Sequence, residues 1–289
     1  LSLAVLLAAL DQTIVATAVP KIASELGGFE QVSWVGTAYL LTSTACQPLY
    51  GSFSDIFGRR IMILFAISLF VLGSMGCGFA WSMTALIVFR AVAGVGGAGL
   101  LALVMVILTD IVPPQRCGQL QGAVGAIYAL ASIVGPLIGG LFTDHLTWRW
   151  AFHINLPIGA ITVLVIVLAL HLPAVPGSSR VKLQRVDWLG SLLVIASNVL
   201  LLLPTSWGGQ DYPWQHPMVV SFYGVGAMML AVTVWWEGWG CERYGGKRPL
   251  IAASLFRQTE IRAIFASVFA MGWVFFGFTY YFPMYYQVS

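Results

Sequence analysis

Charged side chains are scarce in this sequence, and their scarcity excludes several classes of protein. Asp, Glu, Lys and Arg make up 9% of the 289 residues, whereas soluble domains carry about 25%. No polar stretch is long enough for a soluble domain, and the net charge of +3 is spread over short loops, so nothing indicates nucleic-acid binding. The sequence has no Gly-Lys-Ser/Thr motif, metal-ligand cluster or hydrolase triad, which argues against ATP-driven transport within this chain and against an enzyme. The four cysteines show neither ligand nor disulfide spacing.

Long apolar runs make up most of the sequence, which is 59% hydrophobic. A helix needs about 20 mainly apolar residues to cross a bilayer. About nine runs approach or exceed that length. They cover residues 1–20, 32–52, 61–80, 82–109, 118–142, 150–172, 188–206, 217–237 and 262–285. The sequence therefore predicts an all-α, polytopic membrane protein.

The charges in the loops predict the orientation of these spans. If the segment before the first helix is cytoplasmic, eleven basic residues fall in cytoplasmic loops and only Lys21 and Arg149 fall outside. Such an excess of Lys and Arg in cytoplasmic loops is typical of multi-pass membrane proteins. The eleven are Arg59, Arg60, Arg116, Arg180, Lys182, Arg185, Arg243, Lys247, Arg248, Arg257 and Arg262.

Two full charges, Asp11 and Arg90, lie inside otherwise apolar spans. A charge at that depth costs roughly 3 kcal/mol or more, and such residues usually face a bundle interior or a water path and have a partner. Asp11 precedes the predicted end of the first span at Pro20 by nine residues, and Arg90 follows the predicted start of the fourth span at Trp81 by nine. At about 1.5 Å per residue, both lie about 13–15 Å below the same membrane face. We therefore expect Asp11 and Arg90 to pair and to form a proton-linked transport site.

Glycine and proline concentrate in the fourth and fifth spans. Residues 94–99 hold four glycines, and residues 135–140 hold three glycines and one proline. Small residues let membrane helices approach closely. Two interpretations stay open at this point, which are plain close packing and a pliable helix at a moving interface.

The loop between the second and third spans resembles the signature loop of the major facilitator superfamily. It reads Gly51-Ser-Phe-Ser-Asp55-Ile-Phe-Gly58-Arg59-Arg60. It departs from the family pattern where Phe replaces the usual leucine and where Ile56 replaces a common base. The resemblance implies a conformational-switch loop built from Gly51, Asp55, Gly58, Arg59 and Arg60.

Further motifs resemble the branch of 14-span drug:proton antiporters. Residues 10–20, Leu-Asp-Gln-Thr-Ile-Val-Ala-Thr-Ala-Val-Pro, resemble its first-helix motif, and residues 90–96 resemble the fourth-helix motif linked to proton transfer. Residues 148–159 resemble a further segment of the same branch. The fifth-helix antiporter motif is matched by Gly122, Gly135, Pro136, Gly139 and Gly140. The departures from these motifs are Ala16, Ala93 and Ala131, where asparagine, glutamine and glycine are usual.

The resemblance also predicts the domain organisation. Residues 1–172 would form the N-terminal six-helix transport domain with its first helix truncated, and residues 173–261 a linker with two extra transmembrane helices. Residues 262–289 would be the first helix of the C-terminal transport domain. Because alternating access needs two domains around one cavity, we expect residues 1–289 alone to insert into a membrane but not to transport.

The function implied by the resemblance is secondary active transport. The expected activity is proton-coupled efflux of small apolar drugs, toxins or secondary metabolites, of the fungal type, by a monomer that uses the proton gradient and no cofactor. The plasma membrane is the expected location, with the vacuolar membrane as the alternative. An importer or facilitator of another solute and a non-transporting membrane receptor remain as alternatives. Gln47 and Tyr128 are weak candidates for substrate contact, since each could equally be a packed polar residue.

Overall fold

The computed structural model describes residues 1–170, 172, 183, 186–209, 211–245, 250 and 256–288, with the backbone alone for residues 241–245 and 275–288. Most of these residues are helical, so the predicted all-α fold class is confirmed. A chain surrounded by lipid must satisfy its backbone hydrogen bonds within each segment, and long helices do so. The predicted loop bases Arg180, Lys182, Arg185, Lys247 and Arg248 lie outside the described residues.

Each of the nine predicted spans corresponds to one long helix of the described chain. The helices are α1 (Ser2–Leu26), α2 (Ser33–Phe57), α3 (Arg59–Gly78), α4 (Met83–Ile111), α5 (Pro114–His145), α6 (Trp150–Ala169), α7 (Trp188–Trp207), α8 (Pro217–Trp235) and α9 (Thr259–Val288). A π-helical stretch, Trp236–Gly245, continues α8. Seven stretches in the described residues are long and apolar enough to cross a membrane, and α2 and α9 are not among them. The sequence of α2 carries several Ser and Thr residues together with Gln47.

Several helices begin or end a few residues from the predicted boundaries; α2, for example, ends at Phe57 rather than near residue 52. Helix α1 does not end at Pro20 but runs on to Leu26. Proline removes one backbone donor, which one long helix can tolerate, and the helix stops instead before Gly27, whose φ is 69°. Helix α6 ends at Ala169 rather than near residue 172, and its first turn, Trp150–His153, is separated from Asn155–Ala169 by one residue.

Helix α4 lies at the centre of the packing among the first six helices, because it contacts α1, α2, α3 and α5. Its glycines allow this. A Cβ atom added at Gly96 would lie 2.7 Å from the carbonyl oxygen of Ala66 on α3, and one added at Gly99 would lie 2.5 Å from the Cβ of the same residue. The glycine cluster of α4 therefore meets α3 at backbone distance, as small residues permit in membrane helices.

The extra helix pair packs on the first six helices through α2. Helices α7 and α8 contact each other, and α7 also contacts α2. Two aromatic pairs join α2 to α7 at its two ends. The rings of Trp34 and Trp207 lie 6.0 Å apart, and those of Phe53 and Trp188 lie 6.4 Å apart. The proposed division of the chain into a six-helix domain, a linker and a further helix stays a prediction.

Candidate functional site

A buried ion pair joins the two charges that the sequence placed inside spans. Arg90 donates from Nη1 to Oδ2 of Asp11 at 2.6 Å, and the side chains are 2% and 0% exposed. The two residues lie at different distances from their helix ends, since α1 continues 15 residues beyond Asp11 whereas Arg90 is seven residues into α4. The expected pairing is present, although the predicted end of α1 at Pro20 was wrong.

The second carboxylate oxygen of Asp11 has a neutral partner. Asn155, at the start of the long segment of α6, donates from Nδ2 to Oδ1 of Asp11 at 3.0 Å. The same nitrogen lies 3.3 Å from Oγ of Ser74 on α3. Asn155 and Ser74 are both completely buried. The carboxylate is thus held between helices α4 and α6, with one charged and one neutral donor.

Arg90 uses several further groups around its guanidinium. Its Nε donates to the carbonyl oxygen of Val35 at 2.9 Å. The guanidinium carbon lies 4.4 Å from the ring centroid of Tyr39 and 5.8 Å from that of Phe152. A cation over an aromatic face is attracted by the ring quadrupole, and more strongly when water is excluded. These contacts compensate for part of the cost of removing the charge from water.

Two glycines of α4 bring Tyr39 into this position. A Cβ atom at Gly94 would lie 2.5 Å from the carbonyl oxygen of Tyr39, and one at Gly97 would lie 2.9 Å from its Cζ atom. Nearby, Thr42 donates from Oγ1 to the carbonyl oxygen of Ala91 at 2.9 Å and ties α2 to α4. The close approach of the two helices is therefore what places an aromatic ring over Arg90.

The two weak substrate candidates have different surroundings. Tyr128 on α5 is partly buried and donates its hydroxyl hydrogen to Oε1 of Gln12 at 2.7 Å. Gln12 is the residue that follows Asp11 in the sequence. Gln47 is exposed on α2. The structure therefore brings Tyr128 near Asp11 through its contact with Gln12, and a substrate role for either residue stays a prediction.

The glycines of the fifth-helix motif separate into two groups. Gly135 and Gly139 face α1, where an added Cβ atom would lie 2.8 Å from Cβ of Thr13 and 2.6 Å from the carbonyl oxygen of Ile14 respectively. Gly122 and Gly140 have no other atom within 4 Å of an added Cβ. Pro136 lies inside α5.

A hydrogen bond between helices reinforces the contact at Gly135 and Gly139. Thr13 lies with its Oγ1 3.1 Å from the carbonyl oxygen of Ala131 on α5. Half of the motif glycines therefore form a close seam between α1 and α5, and Gly122 and Gly140 do not take part in it.

The signature loop joins α2 and α3 and contacts α4 and α6 as well. Gly58 separates α2 from α3 with φ 101° and ψ 141°, a conformation that favours glycine. Arg59 pairs with Asp55 and donates from Nε to Oδ2 of Asp110 on α4 at 2.9 Å. Arg60 donates to the carbonyl oxygen of Val167 on α6 at 2.7 Å. An added Cβ atom at Gly51 would meet nothing within 4 Å.

Three residues that contact the candidate site residues were not identified from the sequence. Asn155 and Ser74 carry no charge, so a criterion based on intramembrane charges does not identify them. Asn155 is nevertheless a polar residue within an apolar run. Asp110 stands near the end of α4 and looks like an ordinary surface charge until Arg59 contacts it. A search for every polar residue inside a span would have found Asn155 and Ser74.

This chain is similar to known transport proteins over its whole length. The sequence profile described as "Major Facilitator Superfamily" matches residues 1–289. The "MFS-type efflux pump MFS1" of Arthroderma benhamiae is 37% identical over 291 residues, which cover 99% of this chain and 53% of that protein. "Multidrug resistance protein 3" of Bacillus subtilis is 37% identical over 228 residues, covering 79% of this chain and 44% of that protein. The chain thus spans about half the length of these relatives.

Among solved structures, a bacterial homologue of the human lysosomal transporter Spinster, inward-facing and unoccupied, matches 88% of this chain and 64% of its own. Its TM-score is 0.45 and its sequence identity is 18%.

Proposed function

Because the chain belongs to the Major Facilitator Superfamily, and is therefore an integral multi-pass membrane protein and not an enzyme, we propose that the protein exports small apolar compounds in exchange for protons. The two relatives described above carry the names of an efflux pump and a multidrug resistance protein. The proposed location is the plasma membrane. The proposed working unit is a monomer, since Asp11, Arg90 and Asn155 all come from one chain.

The observation that carries this proposal is the buried pair of Asp11 and Arg90. Burying two charges is expensive, and replacement of a buried pair by apolar residues is often neutral or stabilising. The pair is therefore a poor choice for stability alone. An acid that can take up and release a proton inside a membrane is, in contrast, what a proton-driven carrier needs.

Protonation of Asp11 supplies the coupling in this proposal. In the ionised state the carboxylate neutralises Arg90 at 2.6 Å. A proton on Asp11 cancels its charge and leaves the Arg90 guanidinium buried without a counter-charge, which costs several kcal/mol. The arrangement of helices that hydrates Arg90 is then favoured. Such a difference in interaction free energy between two states is the requirement for any coupled switch.

The proposed motion changes the contacts of α1, because α1 carries Asp11. Gly135 and Gly139 place no side chain on the α5 side of its close seam with α1, and we propose that the two helices slide along this seam. We propose that the signature loop, with Arg59 bound to both Asp55 and Asp110, stabilises one of the two arrangements. The energy comes from the proton gradient and no cofactor takes part.

The experiment uses inside-out membrane vesicles that contain the whole protein and an imposed pH gradient, acidic inside. The dye panel consists of ethidium and rhodamine 6G, which are aromatic cations, and of Nile red, which is neutral and apolar. We expect at least one dye to accumulate above the level in vesicles without the protein, and a protonophore to abolish that accumulation. Asp11→Asn should abolish it as well.

Asp144→Asn is the matched control, because it removes the same charge from an exposed position at the end of α5. It should accumulate dye as the unmodified protein does. Accumulation that survives the protonophore would overturn proton coupling, and failure of every dye to accumulate would contradict efflux of apolar compounds.

A further inference from the structure

Asn155 contacts Asp11 but takes no part in the proposed coupling step. It is 0% exposed, and its Nδ2 lies 3.0 Å from Oδ1 of Asp11 and 3.3 Å from Oγ of Ser74. Its own Oδ1 is buried and has no hydrogen-bond partner among the described residues. A buried amide with one end unpaired calls for an explanation, and this one directly contacts the acid that is proposed to take up the proton.

The donors around Asp11 restrict where a proton can go. Oδ2 accepts from Arg90 and Oδ1 accepts from Asn155. A proton added to either oxygen would therefore point at a group that already donates. Arginine has no acceptor and cannot become one, whereas an asparagine amide carries an acceptor at one end and a donor at the other. Only on the Oδ1 side can the partner change from donor to acceptor.

We propose that Asn155 is a positioning residue that turns its side-chain amide when Asp11 is protonated. In the ionised state Nδ2 donates to Oδ1 of Asp11. In the protonated state the amide is rotated by half a turn, and its carbonyl oxygen accepts from the O–H group on that same carboxyl oxygen. The two ends of an amide are nearly equal in size, so the turn needs no additional space.

Ser74 is suited to both orientations. Its hydroxyl can accept from Nδ2 before the turn and donate to the amide oxygen after it. The amide is therefore held by the same two neighbours, Asp11 and Ser74, in either state. Because Asn155 begins the long segment of α6, its orientation links the protonation of α1 to the position of α6.

The groups that face Asp11 determine how removal of the Asn155 amide should change the protonation of Asp11. They are Arg90 from α4, Tyr39 from α2 and Cys77 from α3, in addition to Asn155 from α6. Arg90 is the one cation among these. Asn155 adds a charge-assisted hydrogen bond to the carboxylate, which is stronger than the neutral bond it makes to the protonated acid. Removal of the amide should therefore make Asp11 easier to protonate.

The test is infrared difference spectroscopy on the purified whole protein during a pH titration, and it needs no substrate. This inference rests on the proposed proton uptake by Asp11, which the same spectra examine. The unmodified protein should show the carbonyl stretch of a protonated carboxyl group, and Asp11→Asn should remove that band. A side-chain amide band should change with the same midpoint.

Asn155→Leu keeps the volume of the side chain and removes both ends of the amide. The coupled amide band should disappear, and the carboxyl band should move to higher wavenumber because its acceptor is gone. The midpoint should rise by about one pH unit, a tenfold change in proton affinity. Thr162→Val is the matched control, since Thr162 is a buried polar residue of α6 whose hydroxyl bonds to the carbonyl oxygen of Ile158. It should leave both bands unchanged.

An unchanged carboxyl band and midpoint in Asn155→Leu would overturn the role of Asn155 while leaving Asp11 as the proton carrier. Absence of any band that Asp11→Asn removes would overturn both proposals. Normal spectra combined with dye transport that ignores the pH gradient would overturn the proposed function alone.

Discussion

Removing one member of the buried ion pair should be more damaging than removing both. Asp11 and Arg90 are 0% and 2% exposed in this arrangement of the helices, so either charge left alone in it is buried without its counter-charge. Breaking a buried pair in this way costs about 3–5 kcal/mol. We therefore expect Asp11→Asn and Arg90→Met each to lower the free energy of unfolding by that amount. Methionine is flexible and apolar, and fills part of the space left by the arginine stem.

The double variant should lose much less than the sum of the two losses, because it leaves no uncompensated charge. We expect it to lose no more than about 3 kcal/mol, given that apolar replacement of a buried pair is often neutral or stabilising. The measurement is unfolding of the whole protein in mixed micelles with an increasing fraction of dodecyl sulfate. Additive losses, within about 0.5 kcal/mol, would refute direct pairing.

A second ion pair of the same chain provides the control for this cycle. Arg149 and Glu25 lie 3.2 Å apart with side chains 34% and 39% exposed. Exposed pairs contribute about 0–1 kcal/mol. The cycle of Arg149→Met and Glu25→Gln should therefore show little coupling. Equal coupling in the two cycles would show that burial is not the source of the effect.

Three further outcomes follow from the packing, the backbone and the topology. Gly139→Leu should abolish transport and cost about 1–3 kcal/mol of stability, because its Cβ would meet the carbonyl oxygen of Ile14 at 2.6 Å. A Cβ atom at Gly140 meets nothing within 4 Å, so Gly140→Leu should retain both transport and stability; equal loss in the two variants would contradict the seam. Gly58→Ala should lower the free energy of unfolding by about 1–3 kcal/mol, because the φ angle at Gly58 is 101°. An unchanged melting temperature would refute this. Cys117 follows Arg116 of a predicted cytoplasmic loop, so it should react with an impermeant thiol reagent only after cells are permeabilised. Labelling in intact cells would show that the chain has the opposite orientation.

The helices and the ion pair could be predicted from the sequence for one physical reason. A run of about 20 apolar residues predicts a helix that crosses the bilayer. A charge inside such a helix is costly, so it usually has a partner of opposite charge. Asp11 and Arg90 were the two charges placed near the middle of predicted spans. Their contact therefore required no knowledge of how the helices pack.

Other parts of the site depend on helix rotation, which composition does not determine. Gly139 and Gly140 are neighbours in one motif, yet one faces α1 and the other faces open space. Asn155 carries no charge, and its importance appears only when α6 brings it to within 3.0 Å of Asp11. The continuation of α1 beyond Pro20 was missed because proline weakens a helix without always ending it.

The most direct test of the account separates exchange of substrate from its accumulation. In proteoliposomes with the whole protein, Asp11→Asn fixes the site in a neutral form that cannot release a proton, while the two facings of the cavity stay accessible. We expect this variant to exchange labelled for unlabelled dye across the membrane without a gradient. We also expect it to fail to accumulate dye when a pH gradient is imposed. Accumulation by Asp11→Asn equal to that of the unmodified protein would contradict the claim that Asp11 couples transport to protons.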